Sequence, residues 1–321
     1  MTSRTRRPRS ALRLPPLRWI AGCVLLLLAL GACGSSPSRV PPDQRHGPAG
    51  STASGDDQAV SVVAVGDLVC ESDEAPTATT CQQQATADLA AGLQPQTVIA
   101  LGDLQYEAGS RAEFEKAWAP TWGQFDDILA PVPGNHEYGT PAAADYRSYF
   151  RTGSYYARDI GGWRVYLLDS NCEEVDCAEE SAWLSDQLAQ QPTLCTAVAM
   201  HHPRVSSGAH GSNDALEPLW AAAVDGGVDL ALAGHDHDYE RFGHLDDQGE
   251  PIDGSGGTRA FVVGTGGKSL YPLRDFRRHG SEFAQDTTFG VLHLTLAPDG
   301  YDWQYVAVDG SVLDQGSDSC S

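Results

Sequence analysis

Six times along this chain a short apolar run stops at a polar cluster, and that recurrence constrains the fold more than any other feature. Residues 62–65 run into Gly66-Asp67, 98–101 into Gly102-Asp103, and 128–132 into Pro133-Gly134-Asn135-His136-Glu137. Further on, 165–168 end at Asp169-Ser170, 198–200 at His201-His202, and 230–233 at Gly234-His235-Asp236-His237. Short, continuous Val/Ile/Leu/Ala runs predict strands covered on both faces. Helical patterns fall between them, over 82–91, 110–119, 179–190 and 213–224. Asn213 is placed to cap the last, and Pro218 delays its start. Alternating strands and helices predict an α/β layered sandwich. After Thr258 the texture changes to strands and turns, over 260–263, 291–296 and 303–308, which are expected to complete a second, more antiparallel sheet.

Ligands of open α/β sheets gather beyond the carboxyl ends of the strands. All six runs present Asp, Asn or His there. An Asp after one strand is commonly a turn former or a helix cap. Six such ends together predict a metal site. A glycine often precedes the polar residue, which lets backbone and ligand approach closely.

The first 32 residues read as an address. Arg4, Arg6, Arg7, Arg9, Arg13 and Arg18 form a basic stretch without an acid, followed by an apolar run over 19–30 that is short for a membrane span. Leu30-Gly31-Ala32-Cys33 then resembles a bacterial lipobox. The division expected is a lipoprotein-type signal peptide over 1–32, a Ser/Pro/Gly-rich flexible tether over 33–58, and one catalytic domain over 59–321. Cys33 would carry the lipid and be the only membrane attachment. The protein would be exported, anchored on the outer face of the cell membrane or secreted, and an ordinary secretory peptide is the alternative.

Charge and cysteines narrow the function. The formal net charge is −22, from 21 basic and 43 acidic residues, and loss of the leader's six arginines makes it more negative. That excludes a nucleic-acid surface and leaves bound cations as the means of attracting an anionic phosphate. Beyond Cys23 and Cys33 there are six cysteines. An even count in an exported chain favours disulfides over a thiolate metal site, and no Cys-x-x-Cys occurs. Several pairings are open. Short loops favour Cys70–Cys81 and Cys172–Cys177, with Cys195–Cys320 left over.

Gly66-Asp67, Gly102-Asp103-Leu104-Gln105-Tyr106, Gly134-Asn135-His136-Glu137, Met200-His201 and Gly234-His235-Asp236-His237 occur in the order of the calcineurin-like metallophosphoesterases. Over about Val62 to Phe242 the chain resembles that superfamily, and two details resemble its purple acid phosphatase branch. Tyr106 stands three residues after Asp103, and His237-Asp238-Tyr239-Glu240-Arg241 follows the last block. Where the superfamily often has glycine two residues after the first Asp, this chain has Val69.

The resemblance implies a four-layer α-β-β-α sandwich with two mixed sheets and a dinuclear metal site at the strand carboxyl ends. It implies Asp67, Asp103, Tyr106 and His237 around Fe(III), and Asp103, Asn135, His201 and His235 around a divalent ion such as Fe(II), Zn or Mn. The donor chemistry agrees: phenolate and carboxylates suit a trivalent ion, imidazoles and an amide oxygen a divalent one. A shared carboxylate suits two ions roughly 3.5–4 Å apart. The implied activity is hydrolysis of a small phosphate monoester by water activated at the ions and attacking phosphorus in line. His136 and His210 are the candidate proton donors to the leaving group. A phosphodiesterase or nucleotidase would use the same ligands, and a non-catalytic phosphate- or metal-binding lipoprotein is the more distant alternative. Glu137 and Asp236 are expected to orient imidazoles or cap, His202 to line the pocket, His293 to be structural, and Gly264–Ser269 to form a glycine turn at the rim.

Overall fold

The computed structural model describes residues 58–71, 73–190, 195–254 and 256–321. The expected leader, the expected Cys33 anchor and all but the end of the expected tether lie outside the described residues. Among the described residues no helix is long and apolar enough to cross a membrane.

Three of the apolar runs form a parallel group, β1 (Val60–Val65), β2 (Thr97–Leu101) and β3 (Leu129–Val132). Three more form β5 (Trp163–Leu167), β6 (Cys195–Ala199) and β7 (Leu230–Ala233), which are parallel to one another in a separate sheet, with β4 (Tyr156–Ile160) antiparallel at its edge. The remaining strands are β8 (Tyr239–Leu245), β9 (Thr258–Val263), β10 (Ser281–Gln285), β11 (Gly290–Ala297), β12 (Gly300–Ala307) and β13 (Val312–Ser319). The six-stranded sheet has the order β13-β12-β11-β1-β2-β3, and the seven-stranded sheet β10-β8-β9-β7-β6-β5-β4.

The tail therefore does not build a sheet of its own. β9 pairs parallel with β7 in the seven-stranded sheet, while β11 pairs antiparallel with β1 and carries β12 and β13 on the other. Both sheets are mixed as a result. Along β11, Leu292, Leu294 and Leu296 are buried on one face, while His293 and Thr295 on the other are half-buried beside β1. His293 is structural, its Nε2 lying 3.0 Å from Ser61 Oγ across that ladder.

Side-chain alternation stacks the layers. Val165, Leu167, Ala197, Ala199, Leu230, Leu232, Phe261 and Val263 enter the core shared with β1, β2 and β11. Their neighbours Tyr166, Val198, Met200, Ala231, Ala233, Ala260 and Val262 face Leu184, Leu188, Leu219 and Trp220 of two helices. These are α4 (Cys177–Gln190) and α5 (Glu217–Asp225), preceded in the chain by α1 (Gln83–Gly92), α2 (Arg111–Glu113) and α3 (Ala144–Phe150). On the six-stranded sheet's side, Ala87 and Ala90 of α1 join the core with Phe114, Trp118, Trp122 and Tyr146. The architecture is a four-layer α-β-β-α sandwich.

Two helices differ from their sequence pattern. The 110–119 helix begins with a capping box from Ser110 and Glu113 but widens to a π-helix over Phe114–Trp118. That register points Phe114, Ala117 and Trp118 inward together. The Asn213 segment starts as a 3₁₀ turn, Asp214–Leu216, capped by Asn213 Oδ1 accepting from Ala215 N, and becomes α-helical only at Glu217. Pro218, lacking an N–H, fits the first turn of α5.

The disulfides are Cys70–Cys81, Cys172–Cys177 and Cys195–Cys320, with Cα separations of 5.4, 5.3 and 5.3 Å. The third joins the start of β6 to the residue after β13, so it links the two sheets.

Candidate metal centre

The parallel strands β1, β2, β3, β6 and β7 deliver Asp67, Asp103, Asn135, His201 and His235 at one end of the sandwich. Glycines make the approach possible. A Cβ on Gly134 would lie 2.1 Å from Asp103 Oδ1, one on Gly234 2.7 Å from Asp67 Oδ2, and one on Gly102 2.6 Å from His201 Nδ1. Gly102 also has φ of +82°, a conformation glycine reaches without penalty.

One group of donors surrounds the Tyr106 hydroxyl. It lies 3.0 Å from Asp67 Oδ1, 2.9 Å from Asp103 Oδ2 and 3.1 Å from His237 Nε2, and His237 Nε2 lies 3.2 Å from Asp67 Oδ1. A phenol has one proton, so it satisfies only one of these contacts.

The second group surrounds His201, whose Nδ1 donates to Leu101 O at 2.8 Å. That bond leaves Nε2 with its lone pair directed at Asn135 Oδ1 (3.1 Å), His235 Nδ1 (3.2 Å) and Asp103 Oδ2 (3.4 Å). Asp103 Oδ2 belongs to both groups. Side chains with so few hydrogens between them are held together by a cation or a proton. The residues fit two metal ions sharing one carboxylate, with the Tyr106 set harder and more anionic than the His201 set.

The electrostatics carry the same demand. Burial opposes protonation of His201, but Asp103 and Asp67, together with the Leu101 carbonyl, raise its pKa to about 10. Burial opposes ionisation of Asp103, and His201 and His136 outweigh it, lowering its carboxyl below the ordinary range. Burial followed by the charges on Asp103 and Asp67 pushes the Tyr106 phenol well up, so it ionises only against a strong local cation. His235 and His202 are pushed down, first by burial and then by His201, His202 to about 3.

The two proton-donor candidates border this cluster. The His136 ring lies 4.2 Å from the Tyr106 ring, its Nδ1 hydrogen-bonds Glu107 O at 2.5 Å, and its Nε2 is 3.9 Å from Asp103 Oδ2. His210 is exposed on its loop, with its ring 4.3 Å from that of His235. His202 also lines the centre, its ring 4.4 Å from His235 and its Nδ1 3.0 Å from Ser170 Oγ. Asp169 is directed elsewhere, accepting from Tyr138 Oη at 2.6 Å and Asn171 Nδ2 at 2.8 Å.

Glu137 and Asp236 gather backbone groups rather than imidazoles. Both oxygens of Glu137 accept from the N–H groups of Asp103, Leu104, Gln105 and Gly134, which binds the β2 and β3 ends together. Asp236 accepts from the N–H groups of His210 (2.6 Å) and Gly211 (3.0 Å), fixing the loop that carries His210.

The Gly264–Ser269 segment is more than a turn at the rim. Gly266 N donates to Gly66 O, Lys268 N donates to Asp67 O, and Ser269 Oγ lies 2.8 Å from His237 Nδ1. A Cβ on Gly264 would meet Asp236 O at 2.0 Å. Tyr271 stacks on His237 with ring centroids 4.1 Å apart and planes 4° apart. Neither Ser269 nor Tyr271 announces this in the sequence, because the loop returns to the centre only through β9. Gly-Lys-Ser after a strand was the available signal. Val69, where a glycine is usual, supports the centre through its backbone, its carbonyl accepting from Tyr106 N at 2.9 Å.

No curated protein matches the chain. Among solved structures, a purple acid phosphatase from yellow lupin (Lupinus luteus) seeds superposes with a TM-score of 0.67 at 21% identity, covering 83% of this chain and 54% of that one. This chain thus spans about half the length of the lupin protein. A dimetal phosphatase from Danio rerio gives a TM-score of 0.52 at 14% identity, covering 83% of this chain and 100% of that one. GAP50, the anchor in the inner membrane complex of Plasmodium, gives 0.62 at 13% identity over 82% and 90%. At these identities the likeness is one of fold. The family model for calcineurin-like phosphoesterases matches residues 60–239, which include β1, β7 and all seven candidate ligands. The chain belongs to the calcineurin-like phosphoesterase family.

Proposed function

We propose that the protein is a dinuclear metal-dependent hydrolase of phosphate monoesters. The observation that carries this reading is Asp103 Oδ2, which lies 2.9 Å from the Tyr106 hydroxyl and 3.4 Å from His201 Nε2 and so joins both donor groups. Asp67, Asp103, Tyr106 and His237 would hold one ion, Fe(III) by the hardness of the set. Asp103, Asn135, His201 and His235 would hold a divalent Fe, Zn or Mn. Two bound cations would supply the positive charge an anionic ester needs, and water acidic enough to act as nucleophile near neutral pH.

The chain's own residues supply positioning and protons. Leu101 O and Ser269 Oγ orient the His201 and His237 rings. His210, exposed beside His235, is placed to protonate a departing alkoxide, and Asp236 holds its backbone. His136 lies on the other flank, over Tyr106, and is the second candidate for that proton.

Export is part of the same proposal. The leader and the Cys33 box support it, as do six cysteines paired in three disulfides, which persist in an oxidising compartment.

A panel of para-nitrophenyl phosphate and bis(para-nitrophenyl) phosphate tests the activity. Higher kcat/KM on the monoester is expected, and a preference for the diester would replace the proposal with a phosphodiesterase.

A further inference from the structure

We infer that the leaving group of the substrate lies in the groove beside Asn135 and His202, and that this groove selects esters of a cationic alcohol over those whose leaving group is anionic. The inference rests on the phosphomonoesterase reading and names the substrate class for it. The groove, about 520 Å³, shares Asn135 and His202 with the metal centre, so an ester bound at the centre can extend along it. Its size falls within the range of small-ligand sites, about 300–1,000 Å³.

Its lining mixes polar and apolar groups, and no lysine or arginine contributes to it. The walls are fixed. Ser170 Oγ accepts from His202 N at 2.8 Å, and Asn171 Nδ2 donates to Asp169 Oδ1 and Pro133 O. The lining includes Glu173 and Glu174, both exposed, on the short loop closed by Cys172–Cys177.

Neither glutamate forms a salt bridge among the described residues. Of the cations near the centre and the groove, Arg147 bonds the Tyr138 hydroxyl of the groove wall at 3.4 Å, and two others are committed elsewhere. Lys268 is tied to Glu107 and Glu74 above the Tyr106 ring, and Arg274 to the carbonyls of Ala209 and His210. An anionic leaving group would thus enter a groove lined by two carboxylates without a salt-bridge partner and by no lysine or arginine, in a chain of net charge −22. Repulsion of that kind discriminates among substrates as effectively as attraction does. A quaternary or primary ammonium gains what an extra carboxylate loses.

The test compares kcat/KM for phosphocholine and for phosphoglycerate, with para-nitrophenyl phosphate as the reference. Phosphocholine is expected to be preferred, and the ratio to fall by about threefold to tenfold in Glu173→Gln/Glu174→Gln, the effect of two solvent-screened charges. Added salt should lower the ratio in the same direction. Glu179→Gln, on α4 outside the groove, removes one negative charge and should leave the ratio unchanged. Equal turnover of the two esters, or a ratio unmoved by the double substitution, overturns the inference while the phosphatase reading stands. No turnover of any of the three by metal-loaded protein overturns that reading, and this inference with it.

Discussion

Asp67, Asp103 and His235 hold φ values of 60°, 48° and 71°, a left-handed conformation that residues with a Cβ adopt rarely. Such conformations persist where surrounding contacts over-determine them, and they gather at functional sites. Here each of the three has its backbone or carboxylate bonded across the centre, as in His235 N donating to Asp67 Oδ2 at 2.8 Å. Tyr106 is the residue on which the proposal of Fe(III) rests. A phenolate on Fe(III) gives a visible charge-transfer band, so the protein should be purple to pink and Tyr106→Phe colourless, with metal retained in part by Asp67, Asp103 and His237. A colourless wild type that hydrolyses esters with zinc or manganese would remove Fe(III) from the proposal. His210→Ala should slow esters with poor leaving groups far more than activated aryl esters, which need little protonation. Equal losses on both would exclude the proton-donor role. The seven candidate ligands were legible because each ends or closely follows an apolar run or completes a motif block, whereas Ser269 and Tyr271 were not, since their loop meets the centre only through tertiary structure.

Among the elements, β1, β2, β3, β5, β6 and β7 were readable because strands buried on both faces are written as unbroken apolar runs. Sheet membership was not readable, since partner choice depends on long-range pairing. β4, β8, β10 and β13 were missed altogether. Glu240 lies buried within β8, accepting from Ser207 N and Oγ, and β13 reads as a polar tail, VLDQGSDS. Asp314 of β13 explains why that polar edge is ordered. It accepts from Tyr239 Oη at 2.7 Å and Arg241 Nε at 2.8 Å on β8, and from Trp303 Nε1 at 3.2 Å on β12, which ties the two sheets together. Burial alone would raise its carboxyl, but the bonds from Arg241 and Tyr239 lower it below the ordinary value. A lowered folded pKa contributes stability above the unfolded carboxylate value of about 4 and loses it as pH falls through the folded value. Asp314→Asn should therefore cost about 1–3 kcal/mol at neutral pH, the cost of leaving buried donors without their carboxylate, and the difference from wild type should shrink in acid. Urea midpoints at several pH values check this. A constant difference would show that the carboxylate's charge is not what stabilises the contact.

For the whole molecule, the strong negative charge sets a problem that the proposed metal pair would solve, because under that proposal an anionic ester has to be drawn to an acidic protein. Attachment to a membrane through Cys33 would place that chemistry outside the cell. Cys33→Ser should release the protein from the membrane fraction with its hydrolytic activity intact, whereas a wild type found wholly soluble in the medium would remove the anchor. The layered α/β sandwich followed from the alternation of runs and helices, and the four layers from the family resemblance that the motif order carries. The groove that would choose the substrate did not, since its lining comes from loops after β3, β5 and β6 that carry no shared pattern. The central claim is most directly tested by metal content measured on the same sample as monoester hydrolysis. Two ions per chain are expected, with activity lost on chelation and restored when metal is returned. Hydrolysis that survives complete removal of metal, or a fully loaded chain that holds a single ion, would contradict a dinuclear centre built on Asp103.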